Sequence, residues 1–238
     1  VRQLGRSMGG RLTPVLVLLC PGVFGTLVRF ETNLAAIAWT AAGLAALVNS
    51  QGFERKYPSW AFGIAMGIGL MMDRLSVAFF LVPAVLPLLI GISRQGLKHL
   101  AQSGLWTLVI TGAYYREFFN RHSHEIFSQA NVGEIDSAGV LTENPAVFEW
   151  AYYPLTLIDS QAGPLLGIVM LIGLIGRLDR TRSILLASII GGMTFFTVIS
   201  KNQVFYTLPI LAPLAAMAAT RPRIAWIGVL GGMWSFLS

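Results

Sequence analysis

The sequence predicts an all-α fold: a polytopic bundle of about nine transmembrane helices with one long extracytoplasmic loop. The first observation is the composition, since the 238 residues are 55% hydrophobic and only 12% charged, with a mean hydropathy of +0.66. The second is that the apolar residues fall in long runs nearly free of charge, the pattern of membrane spans. The third is that the charges between the runs separate by sign. Together they predict a single membrane domain over residues 1–238.

Nine apolar runs divide the chain. They are Leu12–Val28, Asn33–Val48, Trp60–Met72, Leu75–Ile92, Leu105–Tyr115, Ala162–Gly176, Ile184–Ser200, Val204–Ala219 and Ile224–Leu237. A perpendicular span needs roughly 20 residues, so several runs must extend into their flanks. Leu105–Tyr115 is the shortest run, and the number of spans is eight if it does not cross. Pro209 and Pro213 are expected to kink the eighth helix.

The charges orient these spans. With a cytoplasmic N-terminus and alternating spans, 12 of the 17 basic residues face the cytoplasm and nine of the 11 acidic residues face outside. A cytoplasmic excess of Lys and Arg is the general rule for membrane proteins. We therefore expect an integral protein of a bacterial inner (plasma) membrane, in contact with membrane lipids. The net charge of +6 then has a topological explanation, and no motif indicates a nucleic-acid partner.

Residues 116–160 form the long hydrophilic connection, predicted to be extracytoplasmic. Its start is covered by "YYREFFNRHSHEIF", residues 114–127, in which Tyr115, Phe118, Phe119, His122 and Ile126 share one helical face. This spacing predicts an amphipathic helix lying in the membrane interface. The connection then closes on "FEWAYYPLTLI", an aromatic segment that returns the chain to the membrane surface.

Two short outer turns carry the strongest candidates for a binding site. "LMMDRLSV" puts Asp73 and Arg74 between two apolar runs, and "SKNQVFYTLPILAP" puts Lys201 and Tyr206 near the start of another. Charges at membrane depth are costly unless they are paired or solvated in a cavity. One interpretation is a cationic site for a phosphate, in which Asp73 orients Arg74. The other interpretation is that these charged side chains reach out to the lipid headgroups. The residues alone do not decide between the two interpretations.

The long connection supplies candidates for supporting or substrate-contacting residues: His122, His124, Glu125, Tyr152 and Tyr153. Two histidines one residue apart point to different sides of a helix, so they are a weak metal pair. No metal site and no cofactor are predicted, with a divalent metal kept as the alternative. The sequence also lacks a phosphate-cradling glycine loop, GxSxG and HExxH, which argues against nucleotide hydrolysis.

The order of these features resembles the polytopic glycosyltransferases of the C-type fold, which include protein O-mannosyltransferases and the lipid A aminoarabinose transferase. The resemblance runs from about Gly63 to Ala219. It rests on the glycine-rich helix "GIAMGIGLMMDR", the interfacial segment, and "SKNQVFYTLPILAPLAAMAA". It implies a membrane enzyme that moves a sugar from a polyprenyl-phosphate-linked donor to a lipid, glycan or protein acceptor on the extracytoplasmic face.

The resemblance also implies roles for single residues. Arg74 and Lys201 correspond to basic residues near the donor phosphate, with Tyr206 beside Lys201, and a histidine of "RHSHE" corresponds to one in the family's external loop. The family usually has threonine where this chain has Asp73. Its catalytic carboxylate lies in a long first external loop, which here is only "RFETN". We therefore expect an N-terminally truncated fragment, the C-terminal part of the family's transmembrane region, without the catalytic residue.

Two other classes of function stay open. A transporter or lipid flippase predicts polar residues near the bilayer centre and broken helices in matching halves. The polar residues of this chain instead cluster towards one face, and its halves do not match. A non-catalytic membrane scaffold is compatible with every feature of the sequence.

Overall fold

The computed structural model is all-helical over the part of the chain that it describes, which is residues 10–28, 32–72, 77–131, 155–198 and 208–237. The α-helices are α1 (Thr13–Leu18), α2 (Pro21–Val28), α3 (Thr32–Asn49), α4 (Lys56–Met72), α5 (Val77–Ile90), α6 (Arg94–Asn131), α7 (Pro164–Leu174), α8 (Arg180–Val198), α9 (Leu211–Ala219) and α10 (Pro222–Leu237). A π-helical turn at Leu157–Gln161 precedes α7. No strand occurs among the described residues, which confirms the all-α prediction. In this part of the chain, no helix combines the length and the apolar character that crossing a membrane requires.

Two predicted boundaries differ from the structure. The run Leu12–Val28 is two helices, because Pro21 begins α2 and has no N–H with which to continue α1. The run Leu105–Tyr115 lies within α6, which continues unbroken to Asn131. The helix predicted at the start of the long connection is present, and it is a continuation of the helix before it. Residues 94–131 contain no proline that would end it.

Pro209 and Pro213 lie at the start of a helix. Pro209 is in the 3₁₀ turn at 208–210, and Pro213 is in the first turn of α9. The N–H groups of a first helical turn have no acceptor within the helix, so proline is tolerated there. Both prolines therefore lie at the start of the described helix and not in its interior, where a proline would kink it.

Small residues bring α4 and α6 together side by side. A Cβ at Gly63 would lie 2.8 Å from the carbonyl carbon of Ser103, so only glycine allows this approach. The hydroxyl of Thr107 donates to the Gly63 carbonyl oxygen at 2.9 Å. Further along, a Cβ at Gly67 would lie 3.0 Å from the Cβ of Ile110. Gly63 and Gly67 stand four residues apart, a spacing that by itself predicts close helix packing, and the contacts of both with α6 confirm it.

A long-range hydrogen bond joins α5 to α8. The Ser188 hydroxyl donates to the Phe79 carbonyl oxygen at 2.8 Å, and both residues are buried. In a regular helix this carbonyl would accept from the N–H of residue 83. That residue is Pro83, which has no N–H to give. Ser188 therefore supplies the donor that proline removes from the middle of α5.

Replacing Ser188 by alanine is expected to lower the free energy of unfolding by about 1–3 kcal/mol, since the buried Phe79 carbonyl would lose its donor. In a Pro83→Ala background the backbone can supply that donor, so the same replacement should cost less than half as much. A double-mutant cycle measured by chemical unfolding in detergent tests this coupling. Equal costs in the two backgrounds would contradict the compensation.

Several of the described connections between helices gather at one end of the bundle. There, a Glu54 carboxylate oxygen accepts from the Ser93 hydroxyl at 2.8 Å, which joins the connection before α4 to the one before α6. The Arg180 guanidinium lies against Gly52, where a Cβ would be 2.8 Å from its Cζ. Arg221 extends this contact set by donating to a carbonyl oxygen just after α7. We call this the basic end, defined by residues 50–55, 91–94, 175–182 and 220–223.

Candidate functional site

The residues predicted to form the site lie at the limits of the described structure. Outside the described residues are Asp73, Arg74, Tyr152, Tyr153, Lys201 and Tyr206. His122, His124 and Glu125 lie on α6 where its backbone is described and their side chains are not. The described helices that flank these residues in sequence, α5, α6 and α8, therefore provide the structural evidence on the predicted site.

Helices α5 and α8 lead to the two predicted phosphate ligands. Helix α5 begins three residues after Arg74, and α8 ends three residues before Lys201. The rings of Phe79, in the first turn of α5, and Phe196, in the last turn of α8, have centroids 5.7 Å apart. The start of α5 therefore meets the end of α8, so the chain leaves the described structure towards Arg74 and towards Lys201 at the same end of this helix pair.

Helix α6 passes the same end. The Tyr115 hydroxyl donates to the Leu70 carbonyl oxygen at 3.0 Å, two residues before α4 ends at Met72. Because Asp73 directly follows Met72, the part of α6 that continues towards His122 starts beside the point at which the described chain ends before Asp73. The grouping of Asp73, Arg74 and the long connection on one outer face stays a prediction.

An apolar groove of about 300 Å³ lies between α5 and α8 beside this end. Its lining residues are Ala78, Leu81, Val82, Ile190, Gly191, Thr194 and Phe195. Gly191 lets the two helices approach, since a Cβ there would lie 2.7 Å from a methyl group of Val82. Thr194 supplies the polar side chain of the lining. The groove suits a hydrocarbon chain better than a polar ligand.

A second cavity, of about 360 Å³, lies at the basic end and was not predicted from the sequence. Its lining residues are Val48, Asn49, Gln51, Arg55, Arg180, Thr181 and Ile184. They come from the end of α3, the connection before α4, and the first turns of α8. The sequence assigned these arginines to topology alone, and no local pattern relates the connection before α4 to the start of α8.

The connection beside this cavity has a strained backbone. Gln51, Gly52 and Phe53 have φ angles of 53°, 69° and 71°, a region that residues with a Cβ rarely adopt. At Gln51 and Phe53, which are not glycine, such conformations cost about 1–3 kcal/mol each and persist where the surroundings hold them. Here the Phe53 side chain is fully buried, and a buried ring nitrogen of His99, Nδ1, donates to its carbonyl oxygen at 2.8 Å. The Ser50 hydroxyl oxygen also accepts from the Phe53 N–H at 3.0 Å.

In the part of the chain that is described, no group of three or more His, Cys, Asp or Glu side chains could hold a metal ion. The chemistry of the described cavities is therefore that of an apolar groove at one end and two guanidinium groups with amide and hydroxyl neighbours at the other.

Comparison with known proteins adds no relative. No family model matches the chain, and neither a curated protein nor a solved structure matches it. The assignment of function therefore rests on the residues, the contacts of the described helices and the resemblance in the order of motifs.

Proposed function

We propose that this chain is the donor-binding part of a membrane-embedded glycosyltransferase, which moves a sugar from a polyprenyl-phosphate donor to an acceptor on the extracytoplasmic face. The observation that carries the proposal is the apolar groove between α5 and α8. It lies beside the end from which the chain continues to Arg74 and to Lys201. A polyprenyl chain in the groove would bring its phosphate towards both cations.

Support for an apolar surrounding comes from the apolar side chains exposed on the surface of the bundle and not from the length of any one helix. Leu89 on α5, Leu108 on α6 and Leu230 on α10 are 79%, 66% and 66% exposed. Further large apolar side chains are exposed on the same three helices: Leu81, Val82, Val85, Leu88, Ile90, Leu105, Trp106, Val109, Trp226, Ile227, Met233 and Trp234. Soluble monomers rarely expose apolar patches beyond a few hundred Å². Basic residues gathered at one end also match the cytoplasmic excess of positive charge in membrane proteins.

The chemistry assigned to this chain is recognition of the donor and stabilisation of its phosphate. Arg74 and Lys201 offset the negative charge that grows on the phosphate as the sugar leaves. Tyr206 and Asp73 lie next to them in sequence and are assigned to orientation. By the resemblance, a carboxylate of the family's first external loop is the general base towards the acceptor. No residue of this chain is assigned to that role.

Filling the groove tests the proposal. The wild-type chain in detergent is expected to gain thermal stability, saturably, from added polyprenyl phosphate. In a Thr194→Trp variant the indole would occupy the groove, so the apparent affinity should fall at least about tenfold, which is about 1.4 kcal/mol. Ile227→Trp, on the exposed face of α10, is the matched control and should respond like the wild type.

Equal responses of the two tryptophan variants would remove the groove from the donor site. Stabilisation by polyprenol without a phosphate, equal to that by polyprenyl phosphate, would show that the phosphate is not recognised. That second result would favour a lipid scaffold over a transferase.

A further inference from the structure

We infer that the cavity at the basic end is a binding site for a phosphate group, separate from the proposed donor site. The cavity measures about 360 Å³, and the guanidinium-bearing residues Arg55 and Arg180 line it together with Gln51 and Thr181. Ligand pockets typically measure about 300–1,000 Å³, so this volume accommodates a phosphate with its substituent. Guanidinium groups recognise phosphate oxygens through paired N–H donors, which is why arginine is common at such sites.

The carboxylates nearest in sequence to these two arginines have other partners. Glu54 precedes Arg55, but its carboxylate accepts from the Ser93 hydroxyl at 2.8 Å. Asp179 precedes Arg180, but one of its carboxylate oxygens accepts from the backbone N–H of Arg182 at 2.7 Å. That contact caps the start of α8. Glu54 thus joins two connections and Asp179 caps α8, which leaves the guanidinium groups of the cavity lining available to an anion.

Two other arginines at the basic end differ from Arg55 and Arg180 because their side chains donate hydrogen bonds to backbone carbonyl oxygens. Arg182 donates to the Gly173 carbonyl oxygen, and Arg221 donates to the Ile175 carbonyl oxygen. Cations at these carbonyls complete the C-terminal end of α7, where the acceptors have no donor within the helix. The Arg55 and Arg180 side chains are exposed at the cavity instead.

The first turn of α8 adds to the attraction for an anion. Arg180 and Thr181 are its first two residues, and a 19-residue helix directs partial positive charge towards its N-terminal end. On the facing side, the strained turn at Gln51 and Gly52 sets the position of the other wall. Gly52 has a second task, because any Cβ there would displace the Arg180 guanidinium. The Arg180 guanidinium therefore packs directly against the backbone of this turn.

The phosphate could belong to an anionic lipid or to a soluble molecule. Basic pockets between helices at the cytoplasmic side of membrane proteins bind anionic lipid headgroups, which carry phosphodiesters. A soluble phosphate has the same oxygens and would use the same donors. The shared chemistry defines the site, and the source is decided by titrating each ligand separately.

The test measures the unfolding temperature of the purified chain in a neutral detergent. Inorganic phosphate and phosphatidylglycerol in mixed micelles are titrated in turn, with phosphatidylcholine as the zwitterionic reference. We expect a saturable rise with phosphatidylglycerol or with phosphate. In an Arg55→Gln/Arg180→Gln variant the apparent affinity should fall at least about tenfold. Arg223→Gln, which removes an exposed charge at the same end outside the cavity, should keep it.

Each result decides the proposal. A rise with phosphate identifies a soluble ligand, and a rise with phosphatidylglycerol alone identifies a lipid headgroup. No saturable rise with either, or an equal loss in the Arg223→Gln control, overturns the site. Because the readout is the ligand-induced change within each variant, a variant of lower stability still gives an answer. An Arg55→Lys/Arg180→Lys variant, which keeps the charge without the paired donors, should bind with intermediate affinity.

Discussion

Replacing Arg74 and Lys201 together by alanine is expected to lower sugar transfer by the full-length protein at least about 10³-fold. Removal of one preorganised group that stabilises transition-state charge typically costs about 10²–10³ in kcat. Both cations are assigned to the same phosphate, so the loss of both should leave no measurable transfer in a membrane-based assay with a radiolabelled donor. The double variant should also lose its stabilisation by polyprenyl phosphate.

Arg116→Ala is the control for this experiment. Arg116 is an exposed cation on α6, next to Tyr115, whose hydroxyl donates to the Leu70 carbonyl oxygen near the end of α4. It is not assigned to the donor site, so its replacement should leave transfer within about twofold of the wild type, an energy difference of about 0.4 kcal/mol. Unchanged transfer by the double variant would remove both residues from the site. An equal loss in the control would mean that overall outer charge, and not a phosphate site, is responsible.

Replacing Gly63 by alanine is expected to lower the free energy of unfolding by about 3 kcal/mol, the upper part of the range for overpacked cores. The added Cβ would lie 2.8 Å from the Ser103 carbonyl carbon and closer still to its oxygen. This obstacle is helix backbone, so no side-chain rotation relieves it. The helices must separate, which would also weaken the bond from Thr107 to the Gly63 carbonyl.

Gly104→Ala is the matched control on the partner helix. A Cβ at Gly104 would meet no atom within 4 Å, and the residue is exposed. Alanine there should therefore stabilise α6 by up to about 1 kcal/mol, through helix propensity alone. Denaturant unfolding of both variants in the same detergent measures the difference. If the two substitutions change the stability equally, the contact between α4 and α6 is not what constrains Gly63.

The sequence predicted local features well where they depend on spacing along one helix. The pair Gly63 and Gly67 pointed to close packing because residues four apart lie on one face, and the structure confirms it. The division of Leu12–Val28 at Pro21 was missed, although proline marks many helix starts. The extent of α6 was also missed, since an amphipathic pattern has the same period in a surface helix and in the end of a longer one.

What the sequence by itself determined is the helical class, the close packing at Gly63 and Gly67, and the grouping of basic residues in alternate connections. These follow from composition and from periods of a few residues. Only the tertiary structure shows that the Ser188 hydroxyl donates to the Phe79 carbonyl oxygen, since the two residues are 109 positions apart in sequence. It likewise decided that Arg55 and Arg180 share a cavity. The physical reason is that such pairs depend on how whole helices pack, and no local spacing encodes that packing.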